Sequence, residues 1–94
     1  MHLEPLMPEI SGIEPVVDGK MQNSVREIVL ATRDVNKVGQ VATYKAGNVL
    51  KIDVACAFNS EMTVEQIHER VSDIEKKIRA MYPGSIVTIH AEPS

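Results

Sequence analysis

The firmest constraint on this chain is an amphipathic helix whose two ends are both written into residues 63–84. Thr63 and Gln66 form a T-x-x-Q capping box, in which each side chain satisfies the other residue's backbone N–H, and Met62 can staple onto Ile67. Pro83-Gly84 closes the helix after Tyr82, because proline disfavours the α conformation in the residue before it. Between these ends Val64, Ile67, Val71, Ile74, Ile78 and Met81 recur at three- and four-residue steps and make one apolar stripe. Glu65, Glu69, Arg70, Asp73, Lys76, Lys77 and Arg79 take the remaining positions as a solvated face, where Asp73 and Lys77 can pair at i,i+4. A helix of this kind needs another layer to cover its stripe.

The neighbouring segments supply that layer. Residues 38–45 and 49–58 alternate loosely, and Gly47-Asn48 between them is a two-residue hairpin signal. In the second of these strands Leu50, Ile52, Val54, Cys56 and Phe58 share one face, which should meet the helices, while Lys51, Asp53, Ala55 and Ala57 share the other. An earlier helix is predicted from Val17, with Val17, Met21, Val25, Ile28, Val29 and Thr32 on one side. Asp18 can cap it, and Ser24 with Glu27 offers a later capping box. A last strand is expected over 85–92. Residues 1–16 carry Pro5, Pro8 and Pro15 without a sustained period and read as an irregular tether.

The order helix, strand, strand, helix, strand predicts an α+β sandwich of ferredoxin-like layout, with two helices on one face of a three-stranded sheet. With 94 residues, of which 44% are apolar, there is material for one core, formed by residues 17–94. A domain of this size buries only about 60 to 65% of its unfolded surface, so pairing with a second copy is expected. The uncovered sheet face, with Ala55 and Ala57 on it, is a place where a partner could meet it.

Several function classes lose support. A net charge of −3 with basic and acidic residues interspersed leaves no basic patch for phosphates, and Tyr44, Phe58 and Tyr82 are too few to stack bases, so no nucleic-acid partner is expected. The single cysteine, Cys56, cannot close an intramolecular disulfide and reads as a small buried hydrophobe. The chain shows no secretory leader and no run of about 18 apolar residues, which fits a soluble domain in a reducing compartment. It has no nucleophile elbow, phosphate loop, CxxC pair or HExxH helix, so it is not expected to be an enzyme.

What chemistry remains lies in His68 and in the His90-Ala91-Glu92 run. Residues two apart on a strand point to one face, so His90 and Glu92 can offer an imidazole and a carboxylate to one ion. The last strand runs back along the preceding helix: Tyr82 to His68 spans about 21 Å at helical rise, and Ser85 to His90 roughly 17 Å at strand rise, which brings the two histidines to one level. Two imidazoles and a carboxylate suit zinc or another first-row divalent ion. Read singly, His68 is equally a residue flanking the core stripe and His90 an ordinary strand residue.

Four landmarks give the chain a family resemblance: Lys45-Ala46-Gly47 at the hairpin, Thr63-Val64-Glu65-Gln66-Ile67-His68 at the helix start, Tyr82-Pro83-Gly84-Ser85 at its end, and Val87-Thr88-Ile89-His90-Ala91-Glu92-Pro93. Over about residues 25–93, some three quarters of its length, it resembles the cytoplasmic C-terminal domain of cation diffusion facilitators, which is metallochaperone-like in fold. The resemblance implies metal ligands at His68, His90 and Glu92. Members with a full two-metal site carry further histidines where this chain has Gly39 or Gln40 and Ala55, which leaves one reduced site completed by water, a neighbouring carboxylate or the other protomer.

By the same resemblance the domain is the soluble, regulatory part of a divalent-cation efflux transporter, on the cytoplasmic side of a membrane. It would work as a V-shaped homodimer that closes on binding zinc, or manganese or iron, and passes that state to a transmembrane domain of the same protein, with residues 1–16 as the junction. The alternative is a dimerisation and protein-docking domain without metal sensing. A free-standing carrier resembling copper chaperones in fold would lack their CxxC ligands. Ligation by imidazoles would weaken as pH falls through about 6.5.

Overall fold

The computed structural model describes residues 13–92. Six elements follow in the order β1 (Ile13–Pro15), α1 (Gly19–Leu30), β2 (Val35–Ala46), β3 (Val49–Phe58), α2 (Val64–Met81) and β4 (Ile86–Glu92). The strands form one sheet in the order β1-β2-β3-β4. β1 to β3 pair antiparallel, while β4 lies parallel to β3 because α2 carries the chain across one face of the sheet and returns it to the starting end.

Local chemistry sets the helix limits. The Asp18 carboxylate accepts from the N–H groups of Lys20 and Met21 at 3.1 and 3.2 Å and starts α1, so the alternative start at Ser24 is not used. Val17 falls before this cap and is 90% exposed, outside the stripe expected to hold it; Val25 and Val29 carry the burial instead. In α2 both halves of the Thr63–Gln66 box form, at 3.1 and 2.9 Å. The turn after α1 passes through Asp34, whose φ of +72° a short polar side chain tolerates. The Arg70 Nε donates to its carboxylate at 3.2 Å, and the Asn59 N–H donates to its carbonyl at 3.0 Å.

Both helices pack on the face of the sheet formed by Val41, Ile52, Val54, Cys56, Phe58 and Val87, against Val25, Val29, Ile74 and Ile78. Val64 and Met81, at the ends of the α2 stripe, stay 72% and 51% exposed.

The sheet has four strands, not three. Ile13–Pro15, expected within an irregular tether, pairs with β2 through Ile13 opposite Ala46 and Pro15 opposite Tyr44. Three residues are too short to show a period, and a proline is tolerated on an edge strand, where the missing N–H breaks no inner ladder. Thr43 anchors this strand: the Val16 N–H donates to its carbonyl at 2.9 Å, and its buried hydroxyl donates to the Val16 carbonyl at 2.6 Å. The remainder of the expected tether, residues 1–12, lies outside the described residues.

Candidate metal centre

β2 runs against β3 with a register shift between Val38 and Val41, so Gly39 and Gln40 together oppose the stretch around Ala55. Such a bulge re-aims a side chain. Here it delivers Gln40 to the open face of the sheet, where it lines a shallow depression with Ala42, Asp53, Ala55 and His90. The backbone approach is close at this point: a Cβ on Gly39 would stand 3.4 Å from the Ala55 carbonyl oxygen. Two alanines make the depression, and His90, register partner of Ala55, stands beside it.

Asp53 completes this group. It shares the open face with His90, and the Tyr44 hydroxyl donates to its Oδ2 at 3.0 Å. That bond to a carboxylate pushes the Tyr44 phenol above its usual pKa near 10, with partial burial and the negative charge acting the same way. The Lys51 ammonium lies 5.6 Å from the centre of the Tyr44 ring. Imidazole, carboxylate and amide oxygen are a donor set suited to a divalent cation of the first transition row.

The sequence-predicted ligands separate in one protomer. His90 is on the open face. His68 is exposed on the far side of α2, among Glu69, Ser72, Asp73 and Lys76. Glu92 lines a third depression, at the end of β4, with Phe58, Met62 and Ile67. The expectation of one shared corner treated level along the strand but not side of the sheet: His68 belongs to the helical layer, His90 points away from it, and the sheet lies between them. Among the described residues no group of three His, Cys, Asp or Glu side chains comes together within one chain. Asp53 is not among the ligands that the sequence predicts. Its place in the Asp53-x-Ala55 alternation of β3 puts it on the same face as Ala55.

Cys56 sits in the core at 1% exposure, and burial, with a smaller contribution from the Glu92 charge, pushes its thiol pKa up. It therefore stays a protonated hydrophobe rather than a thiolate ligand. Among the described residues no helix is long and apolar enough to cross a membrane.

The open face of this helix-backed sheet thus carries a bulge, a histidine and a carboxylate. Residues 17–94 match the family model of the cation efflux protein, cytoplasmic domain, and the chain belongs to this family of dimerising cytoplasmic domains of cation diffusion facilitators. No curated protein matches the chain by sequence. Among solved structures it is similar to the nickel form of a variant MamM C-terminal domain, with a TM-score of 0.73 at 19% identity over 82% of this chain and 99% of that one. A cadmium form of another MamM variant gives 0.72 at 19% identity, over 81% and 96%. The MamM C-terminal domain itself gives 0.71 at 21% identity, over 80% and 96%. At these identities the likeness speaks for the fold.

Proposed function

We propose that this domain senses a divalent cation for its transporter, binding it on the open face of the sheet as a homodimer. The observation that carries the reading is the meeting of His90 and Asp53 in one alanine-floored depression, with Gln40 brought beside them by the bulge. Two strong donors make half a site. A second copy on a twofold axis supplies the rest, either its own His90 and Asp53 or the His68 and Glu92 that one protomer keeps apart. The nickel and cadmium forms of the MamM domain support a divalent ion as the ligand. Zinc suits the mixed nitrogen and oxygen donors best, with manganese and iron as alternatives.

A cation held between two copies binds the closed arrangement better than the open one, and only that difference can shift the equilibrium. The closed V-shaped dimer would then act on a transmembrane domain through its amino-terminal segment. Residues 1–16 are the proposed junction, with 17–94 the regulatory domain. The test is calorimetric titration of the purified domain with zinc, then manganese, beside His90→Ala, Asp53→Ala and His68→Ala variants, with small-angle scattering on the same samples. Binding by the parent that is lost in His90→Ala and Asp53→Ala, together with a more compact dimer, supports sensing. A folded dimer that takes up neither ion favours the second reading, a dimerisation and docking domain without metal sensing. What favours that second reading is that no three-donor group forms within one chain among the described residues.

A further inference from the structure

Lys51 and Asp53 stand two apart on one strand and share the open face, an arrangement that ordinarily lets a lysine fold over and neutralise a carboxylate. Here it does not: among the described residues no ion pair joins them, and the Lys51 ammonium lies over the ring of Tyr44 instead. Tyr44 thus does two things at once. Its ring holds the lysine, and its hydroxyl bonds to Oδ2 of Asp53. The ring is itself backed by β1, since Tyr44 is the register partner of Pro15 and lines an apolar depression with Ile13, Pro15 and Ala42.

We propose that Tyr44 is a positioning residue of the cation site: its hydroxyl holds Asp53 by one carboxylate oxygen and leaves the other for the cation beside His90. This rests on the reading of the open face as a cation site. A carboxylate on a strand face rotates freely about two side-chain bonds, and ordering it on ligation costs entropy. A donor that already fixes it removes much of that cost, and partners of this kind typically change metal affinity by about 10 to 100-fold. Tyr44 also leaves the charge of Asp53 unpaired and available. β1 enters the site indirectly, as the support behind the tyrosine ring.

The experiment compares cadmium binding by the full 94-residue chain with binding by Tyr44→Phe, Asp53→Ala and His90→Ala, using calorimetry. Tyr44→Phe keeps the ring, its contact with Lys51 and its packing on β1, so its fold and thermal midpoint should match the parent. We expect it to bind about 10-fold more weakly, and Asp53→Ala and His90→Ala to lose binding. A second readout is optical. The chain has no tryptophan and two tyrosines, so Tyr82→Phe leaves Tyr44 as the sole emitter. A tyrosine hydroxyl bonded to a carboxylate is quenched, and cadmium on Asp53 should change Tyr44 emission with the midpoint that calorimetry finds.

Loss of binding in Asp53→Ala and His90→Ala with parental affinity in Tyr44→Phe would overturn the positioning role and leave the site standing. An unchanged Tyr44 emission on saturation would do the same. Parental affinity in Asp53→Ala or His90→Ala would remove the site itself, and the role of Tyr44 with it.

Discussion

The two faces of β3 are built from alternate residues of one ten-residue strand, yet they do opposite work. On the helix side Ile52, Val54, Cys56 and Phe58 are buried to 2% exposure or less and form the middle of the core. On the other side Lys51, Asp53 and Ala55 remain partly open, with His90 beside them from β4. Side chains on the first face hold the domain together by excluding water, a force that is indifferent to direction. The second face is poor in apolar bulk and rich in directed polar groups, so it contributes little to stability and is free to carry ligands. Substitutions on the two faces should therefore separate stability from binding.

The largest expected effect tests that separation. Phe58→Ala should destabilise by about 3 to 5 kcal/mol in denaturant unfolding, enough to unfold much of a small domain. Asp53→Ala, on the other face of the same strand, should stay within about 0.5 kcal/mol of the parent while losing the cation. Equal destabilisation by both would mean that the open face is covered and structural.

A middle-sized effect concerns how far the helix-facing side reaches. Thr43 is buried beneath α1, and Gln22 donates to its hydroxyl at 3.3 Å while the same hydroxyl donates to Val16. Thr43→Val should therefore cost about 1 kcal/mol, since it removes the donor of the half-buried Val16 carbonyl. Hydrogen exchange should speed up in β1 and at the start of α1, with β3 unchanged. Uniform exchange across the sheet would show that β1 is not separately anchored.

The smallest effect is on pH. Burial raises the Cys56 thiol above its unfolded value of about 8.5, so the folded state holds the proton more tightly. This contribution to stability is therefore intact below about pH 8.5 and is lost as pH rises through the folded value. Stability of the parent should decline in that range more than that of Cys56→Ala, and the native thiol should resist alkylation at neutral pH. Rapid native labelling would place Cys56 outside the core.

Residues whose meaning is local were legible before the fold was known. The Thr63–Gln66 box, Pro83-Gly84 and the stripe through Ile74 and Ile78 define α2 from neighbours within a turn or two. Gly47-Asn48 does the same for the hairpin, with Gly47 at φ +64°. β1 was not legible, because Ile13–Pro15 becomes a strand only by pairing with residues some thirty positions away. The bulge that aims Gln40 was hidden for a related reason, since a register shift is a property of two strands.

The candidate site divides along the same line. That His90 is a ligand candidate could be read from residue type and family likeness. That Asp53, and not His68, is its neighbour within one chain could not. By itself the sequence determined both helices, the strands β2 to β4 and the side chains apolar enough to pack, since these follow from interactions among near neighbours, and its motifs carried the family resemblance. Tertiary structure alone decided which side of the sheet each donor occupies and which strand closes the edge. Those outcomes depend on strand pairing and layer order, where a displacement of one residue sends a side chain to the opposite face.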